Sequence, residues 1–551
     1  MHKNRPIILC LIFFALIGLL IVKIAYLQLY SGEKLSRAAA SQRSASTELE
    51  KPRGDILDRN GIPLTHRSKT ASVVLKPLFI RGKDDKIDTI SRILKVDAAK
   101  IKREVDAKRE PVIIEADYEK VQKILEQGIE GVSVVYSLKR YDDNTVGRHI
   151  LGYLNKADQV GEAGVEKFFN EVLRYKEDSL FSVFTDARQN LIQGLGYRIN
   201  KTQNGSKQNI RLTMDYHIQK IVEEVMDRNH IKGAVIVEDI YSGDILAMAS
   251  KPDFKPNDVF PYLNSHNNEL FNRAVASYNL GSIFKIIDAA CKLEDGRNDR
   301  SWYECTGSIT IGDKEFKCSA YEKGGHGWIN FEDAFSKSCN PYFISMGLEL
   351  GAEEVLRMAK EFGLGGSTGI RDQGVDEASG NLPANIKRLL DGDIANISIG
   401  QGNVMATPLQ VADIIATVAN GGIKNKINIV DCIIDSAGSI TKEVRRNEGK
   451  RIITKKTSNK LMQMMEMVTN SGTGTKAEMA DYGGAGGKTG SAETGQFNHG
   501  EKVVHAWFAG YFPRKSPRYS VAVFVEDGKN GGQTAAPIFA EVAVEMIKKG
   551  Y

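Results

Sequence analysis

Cysteine is scarce in this chain, with six residues in 551, which excludes the dense disulfide framework of a small secreted scaffold. A long basic run is missing as well. Lysine and arginine number 74 against 69 acidic residues, and a net charge of +5 spread over this length offers no field that would collect nucleic acid. Internal repeats and low-complexity tracts are absent, so repeat architectures and disordered tails are set aside. What is present is a globular composition, 42% hydrophobic and 26% charged. A chain of 551 residues exceeds one ordinary core, so at least two folded domains are expected besides any anchor.

From Ile7 to Val22 the sequence reads IILCLIFFALIGLLIV, with Cys10 inside it, followed by Lys23 and a further apolar stretch ending at Leu29. That is long enough to span a bilayer, with Lys23 snorkelling or lining an edge. A cleaved signal peptide is the competing reading. The small residues Ala38 to Ala40 lie too far beyond an apolar core already longer than such cores usually are. Lys3 and Arg5 precede the run, so the positive-inside rule keeps the N-terminus in the cytoplasm and sends everything after residue 30 outside the cell membrane.

Residues 1–30 are therefore read as a cytoplasmic tip and single-pass anchor, and residues 31–205 as an α+β pedestal. In the pedestal, alternating runs such as ASVVLKP and PVIIEAD stand between charged helical stretches, and no Ser, His, Cys or carboxylate cluster has site-like spacing. A polar linker, KTQNGSKQN from Lys201 to Asn209, leads to a C-terminal domain over residues 206–551. There IKGAVIVEDI and DILAMASK read as strands joined at Tyr241, Ser242 and Gly243. VVHAWFAGYF and YSVAVFVED make a second pair around Pro513 to Pro517, and a last helix is expected from Pro537 to Gly550. The stretch from Asn268 to about Leu461 reads as mostly helical, so the fold class is α+β, an antiparallel sheet assembled from both ends of the domain and flanked by helices.

Three short motifs follow one another in this domain. In GSIFK, Ser282 and Lys285 stand at i and i+3 and so can meet on one helical face. A serine alcohol is a poor nucleophile until a base takes its proton, and a lysine can be that base once burial and a nearby cation lower its pKa. The second motif is Ser338, Cys339, Asn340. The third is GGKTGSAET, where glycines let a peptide approach the backbone of an edge strand and Lys488, Thr489, Gly490 and Ser491 offer a cation and hydroxyls for a carboxylate. Each motif alone is an ordinary helix, turn or glycine-rich loop; S-x-x-K, an S-D-N type triplet and K-T-G together form the set of penicillin-binding proteins and class A β-lactamases.

With that set in order, the chain resembles the class B penicillin-binding proteins, the monofunctional peptidoglycan transpeptidases, over nearly its whole length. RGDILDRNGIPLT from Arg53, RHILGY from Arg148, GEAGVEKFFNEVL from Gly161, LTMDYHIQK from Leu212, NRAVASYNLGSIFK from Asn272 and IGQGNVMATPLQVADIIATVANGG from Ile399 are similar to family stretches. Leu280 stands where many relatives carry proline, and Tyr175 where glycine is frequent. The resemblance implies a dimerisation-type pedestal and a serine D,D-transpeptidase. Ser282 would attack the penultimate D-alanine of a D-Ala-D-Ala stem peptide, with Lys285 as base. Ser338 would relay the proton under the potential of Lys488, while Asn340 holds the donor amide and orients Lys285. The Ser282 and Ser491 N–H groups would form the oxyanion hole, and Thr489 and Ser491 would take the terminal carboxylate. An amine from a neighbouring stem peptide would resolve the ester, and β-lactams would acylate Ser282. No glutamate stands by motif to activate water, which disfavours rapid hydrolysis of the acyl-enzyme. A D,D-carboxypeptidase or slow β-lactamase sharing the acylation step, and a β-lactam sensor or wall-synthesis scaffold, are the alternative readings. The resemblance also implies a polytopic glycosyltransferase partner and a role in division, elongation or sporulation.

Cys339, set between two groups that handle protons, belongs to a spaced set: Cys305, Cys318, His326 and Cys339. Three thiols and an imidazole are the ligands of a closed, structural tetrahedral Zn2+ site. Some elongation-type relatives are understood to bind zinc at equivalent places, with carboxylates replacing two of the cysteines. Two other readings stand beside this one, a Cys305–Cys318 disulfide and plain packing of small thiols. Cys291 and Cys432 are expected to be packing residues and His505 a strand residue, while His499 is unassigned.

Overall fold

The computed structural model describes residues 5–30, 44–48, 53–108, 111–156, 158–174, 176–184, 197–204, 207–296, 302–444, 449–498 and 500–551. Contacts divide the chain into two compact units. One comprises residues 1–53, 69–138 and 175–206, the other residues 54–68, 139–174 and 207–551.

The first unit begins with helix α1, Arg5–Ala25, whose 21 residues rise about 30 Å, the thickness of a bilayer core. Its large apolar side chains from Leu11 to Ile24 face outward all round, and among the described residues it is the one helix long and apolar enough to cross a membrane. Strand Ser68–Leu75 lies between Val112–Ala116 and Val132–Lys139. Helices Asp84–Leu94, Ala98–Ala107 and Tyr118–Glu126 cover this sheet, burying Ile87, Ile90 and Leu94, Ile101 and Val105, and Val121 and Ile124 at helical spacing. Ser44–Glu48, Lys176–Phe184 and Tyr197–Asn204 form another three-stranded sheet. The linker expected over Lys201–Asn209 is thus largely strand, since Tyr197–Asn204 and Gln208–Leu212 approach it from both sides. Backbone pairing supplies those strands with partners whatever their side-chain polarity. Gly205, Ser206 and Tyr175 lie outside the described residues.

The second unit is built on a five-stranded sheet. In chain order its site-bearing elements are β1 (Gly233–Asp239), β2 (Ile245–Lys251), α2 (Lys285–Asp295), β3 (Tyr303–Cys305), β4 (Gly327–Ile329), α3 (Phe331–Ser336), α4 (Asn340–Leu350), α5 (Pro408–Ala419), α6 (Lys455–Asn470), β5 (Gly486–Asn498), β6 (Glu501–Phe512), β7 (Tyr519–Val525) and α7 (Ala536–Lys548). The sheet order is β2-β1-β7-β6-β5, antiparallel throughout, so the two expected hairpins meet where β1 pairs with β7, Ile236 opposite Ala522.

Both faces of this sheet are covered, which is why β1 and β7 are buried at every position. The period of two still sorts their residues: Ala234, Ile236, Ala522 and Phe524 enter one core, and Val235, Val237, Val521 and Val523 the other. α5 lies in the first core, while α7 and helix Tyr216–Arg228 lie in the second. The stretch from Asn268 to Leu461 is less helical than expected. Short ribbons interrupt it, and Val430–Asp435 pairs with Gln208–Leu212 in a separate four-stranded sheet. The β-branched run INIVDCIID carries that preference, which the helical stretches on either side obscured.

Every residue of α5 is buried, including Gln410, Asp413 and Thr417. Thr407 caps it by accepting from the Gln410 N–H at 3.1 Å, and the Gln410 side chain returns the contact to the Thr407 N–H at 2.9 Å. Thr407→Ala is expected to lower unfolding stability by about 1–2 kcal/mol, read by urea denaturation. An unchanged midpoint would mean that packing alone holds the start of this helix.

Candidate active site and metal centre

Ser282 lies in a tight 3-10 turn, Gly281–Phe284, which passes directly into α2 with Lys285 as its first residue. Gly281 has φ +54°, its N–H donates to Gly400 O at 2.9 Å, and a Cβ added there would lie 2.4 Å from Ser491 O. Only glycine allows the Ser282 turn to lie this close to β5. Leu280, in place of proline, is fully buried at the entry to the turn.

Lys285 is fully buried and donates to Ser338 O at 2.8 Å, Ser338 Oγ at 3.2 Å and Asn340 Oδ1 at 2.7 Å. Lys488, also fully buried, reaches the same Ser338 Oγ at 3.1 Å and Thr489 O at 3.2 Å. Rings flank both amines, Phe343 at 5.3 Å from the Lys285 nitrogen and Phe335 at 5.6 Å from that of Lys488. Burial lowers the Lys285 pKa to about 8, and burial together with the charge of Lys285 holds Lys488 well below the ordinary lysine range. Two amines so placed favour a state in which at least one is neutral.

The spacing of Ser282 and Lys285 allows a direct contact, yet among the described residues Ser282 Oγ makes no hydrogen bond. The reason is donor arithmetic. An ammonium has three N–H donors, and the three acceptors of Ser338 and Asn340 match all of them. A neutral amine keeps two donors and gains a lone pair, which can accept from Ser282.

Ser338 sits between α3 and α4 with φ +58°, a left-handed conformation that costs a non-glycine residue about 1 kcal/mol. The turn closes through Cys339 N–H to Ala334 O at 2.8 Å, and Cys339 directly precedes α4, whose first residue is Asn340. The Asn340 amide also donates to Lys317 O at 2.9 Å, fixing its oxygen toward Lys285. β5 is the outer strand of the sheet, with Lys488 opposite Ala509 and Ser491 opposite Ala506. Gly490 allows Leu280 O to approach, since a Cβ there would lie 2.8 Å from it. Ser491 Oγ accepts from Gly531 N–H at 3.2 Å. The Thr489 hydroxyl meets the Thr473 hydroxyl at 2.6 Å, and Thr473 N–H donates to Ser336 O at 3.1 Å. Sequence reading missed Thr473, although SGTGT at Ser471–Thr475 is a glycine-spaced hydroxyl run like that of β5.

Cys305 ends β3, Cys318 and His326 lie on the loop before β4, and Cys339 precedes α4. Their ligand atoms all lie within 4.8 Å of one another. His326 Nδ1 is 3.6 Å from Cys305 Sγ and 3.4 Å from Cys318 Sγ, near the edge of about 3.5 Å expected for sulfur and nitrogen on one tetrahedral Zn2+. All three thiols are buried and free of disulfide. Hydrogen bonding between Cys318 and Cys339 pulls the former's pKa down and pushes the latter's up. Cys291 and Cys432 are buried outside this set. His505 packs against Tyr278 and Phe524, and its Nδ1 accepts from Asp527 N–H, as befits a strand residue. His499 lies outside the described residues.

The contacts of Lys285 and Lys488 with the Ser338 hydroxyl bring together the three motifs shared by penicillin-binding proteins and class A β-lactamases. Residues 233–543 match the penicillin-binding protein transpeptidase domain and residues 48–208 the penicillin-binding protein dimerisation domain. The chain belongs to the penicillin-binding protein transpeptidase family, among its class B, monofunctional members. It is 29% identical to stage V sporulation protein D of Bacillus subtilis, over 98% of this chain and 85% of that protein. It is 27% identical to peptidoglycan D,D-transpeptidase MrdA of Acinetobacter baumannii, over 96% of this chain and 86% of that one. Among solved structures, a chain of a peptidoglycan synthase complex matches with TM-score 0.71 and 26% identity, covering 98% of both chains. Penicillin-binding protein PBP2 of Helicobacter pylori has the same fold, with TM-score 0.71, 23% identity and coverage of 91% of this chain and 99% of that one.

Gly281→Ala is expected to slow acylation by a fluorescent penicillin at least about tenfold and to lower the melting temperature, because strain at φ +54° adds to a clash with Ser491 O. Wild-type acylation in this variant would refute the close packing of the two motifs.

Proposed function

We propose that this protein is a peptidoglycan D,D-transpeptidase that cross-links stem peptides through an acyl-enzyme on Ser282. The observation that carries this reading is the Ser338 hydroxyl shared by Lys285 and Lys488. Lys285, as a neutral amine, takes the proton of Ser282 as the alcohol attacks the penultimate D-alanine carbonyl. The resulting ammonium regains its third acceptor, and Ser338 passes a proton toward the leaving D-alanine while the charge of Lys488 favours that transfer. The N–H groups of Ser282 and Ser491 receive the oxyanion, an arrangement commonly worth a few kcal/mol per donor. Thr489 and Ser491 take the terminal carboxylate, Gly490 lets the donor backbone approach β5, and Asn340 holds the donor amide. An amine of a second stem peptide then attacks the ester. β-Lactams occupy the same site as donor mimics.

The apolar α1 supports a single-pass anchor, with Lys3 and Arg5 favouring a cytoplasmic N-terminus and an extracytoplasmic catalytic domain. The similar chain within a complex coordinating polymerisation with cross-linking supports a membrane-embedded glycosyltransferase as partner. The service performed is division, elongation or sporulation; the likeness to a sporulation protein supports the last.

Cys305, Cys318, His326 and Cys339 would hold one Zn2+. With four protein ligands no position remains for water, so the ion would be structural, tying the Ser338–Asn340 turn to the loop from Cys305 to His326. One equivalent of zinc is expected in the purified protein by elemental analysis, and much less in Cys339→Ser. Equal content in both, or none in either, would remove the metal and leave the transpeptidase intact.

Ser282→Ala is expected to abolish labelling by a fluorescent penicillin, and wild-type protein given a stem pentapeptide with an amine acceptor should yield cross-linked product. Labelling of the alanine variant at wild-type rate would overturn the reading. Because the Lys285 pKa is lowered to about 8 and the base must be neutral, the acylation rate should climb with pH, about tenfold per unit, and level off above that value. A rate that falls as pH rises from 6 to 8 would contradict the assignment of the base.

A further inference from the structure

Thr489 and Ser491 share one face of β5, standing opposite Phe508 and Ala506 of β6. Two segments meet them there. Residues 530–535, which lead into α7, bring the Gly531 N–H to Ser491 Oγ at 3.2 Å. The run Ser471–Thr475 brings the Thr473 hydroxyl to Thr489 Oγ1 at 2.6 Å, a short bond for two alcohols. Thr473 is itself held in place. Its N–H donates at 3.1 Å to the carbonyl of Ser336, the last residue of α3 and two residues before Ser338. Its own carbonyl lies against Gly532, where a Cβ would come within 2.3 Å of it. Thr473 is therefore fixed between the second and third motifs, although it belongs to neither.

A hydroxyl has one proton to give, and a carboxylate can only accept. For Thr489 and Ser491 to hold one carboxylate, both must turn that proton toward it and leave their lone pairs to whatever stands behind. Ser491 meets this condition through the Gly531 N–H, which can only donate. In the Thr473–Thr489 pair either oxygen can be the donor, and the choice sets what the cleft presents to a ligand. With Thr489 donating, the Thr473 proton is left with Ser336 O, which is 3.5 Å away and already accepts from the Thr473 N–H. With Thr473 donating, the Thr489 proton has no acceptor among the described residues and is free for an anion. We propose that Thr473 is a positioning residue for the donor's terminal carboxylate, donating to Thr489 Oγ1 so that Thr489 presents its O–H to the anion as Ser491 does. Two alcohols in series polarise each other toward the carboxylate, and Thr489 then binds it more strongly than a lone threonine would.

This inference rests on the reading that Thr489 and Ser491 take the carboxylate. Its test is stopped-flow acylation by a chromogenic cephalosporin and by the methyl ester of the same compound, separating the dissociation constant of the first complex from the rate constant of the bond-forming step. Thr473→Val keeps the shape of the side chain and removes its hydroxyl. It is expected to raise the dissociation constant of the free acid about tenfold, the loss of roughly one hydrogen bond to a charged group, while that of the ester stays within about twofold of wild type. Thr473→Ser, which keeps the hydroxyl, should bind the acid nearly as wild type does. Free-acid binding within about twofold of wild type in Thr473→Val would overturn the proposal. So would an equal loss for acid and ester, which is what a merely structural threonine in this turn would give, or a failure of Thr473→Ser to restore the difference between them. Thr489→Val separates the two readings. If it removes the preference for the acid and Thr473→Val does not, only this inference fails; if Thr489→Val keeps that preference, the carboxylate assignment fails first.

Discussion

Two lysine amines with no solvent exposure meet at the hydroxyl of Ser338, and the rest of the site is arranged around that point. Burying a charged amine is expensive unless acceptors surround it, and a second amine beside it raises the cost. The site answers with a carbonyl, a hydroxyl and an amide oxygen around Lys285, and with an aromatic ring beside each nitrogen. None of these acceptors cancels a full charge. The amines are therefore held near the condition in which one is neutral and basic, which is what an alcohol needs from its neighbour.

Keeping Ser338 in place falls to the backbone on either side of it. A left-handed serine would relax toward a commoner conformation if the turn between α3 and α4 were loose. The Cys339 N–H bond to Ala334 O closes the turn from within, and Cys339 stands with Cys305, Cys318 and His326, their ligand atoms all within 4.8 Å of one another. On the other wall the glycines at 281 and 490 let the serine turn and the outer strand pack backbone to backbone, since a Cβ at either would meet a carbonyl of the other segment. Both devices act on distances of a fraction of an ångström, the scale on which hydrogen-bonded catalysis succeeds or fails.

Much of this was legible in the residues themselves. Serine, lysine and asparagine in fixed spacing, and glycines around a strand-borne lysine, carry their chemistry in their identities. Four of the cysteine and histidine positions could be grouped before their distances were known. The two hairpins were readable because each is local, a strand followed by its own partner. Less legible was whatever depends on remote partners. The positive φ of Ser338 follows from the join of two helices, and serine has no intrinsic preference for it. The Thr473–Thr489 contact links segments that nothing in their spacing connects. Val430–Asp435 is a strand because Gln208–Leu212 pairs with it from far away in the chain. Residues 54–68 and 139–174 join the unit of 207–551 through folding rather than adjacency.

The pairing of β1 with β7 has a temporal meaning. Residue 236 must wait for residue 522 before the middle of its sheet exists, and the strand bearing Lys488 is joined to that middle only through β6. A nascent chain carries its serine motif long before it can possess a working pocket, so synthesis itself delays reactivity until nearly the whole catalytic unit has left the ribosome. Until β7 arrives, β1 is paired only with β2, and its other edge is the kind of apolar strand edge that invites association with another chain.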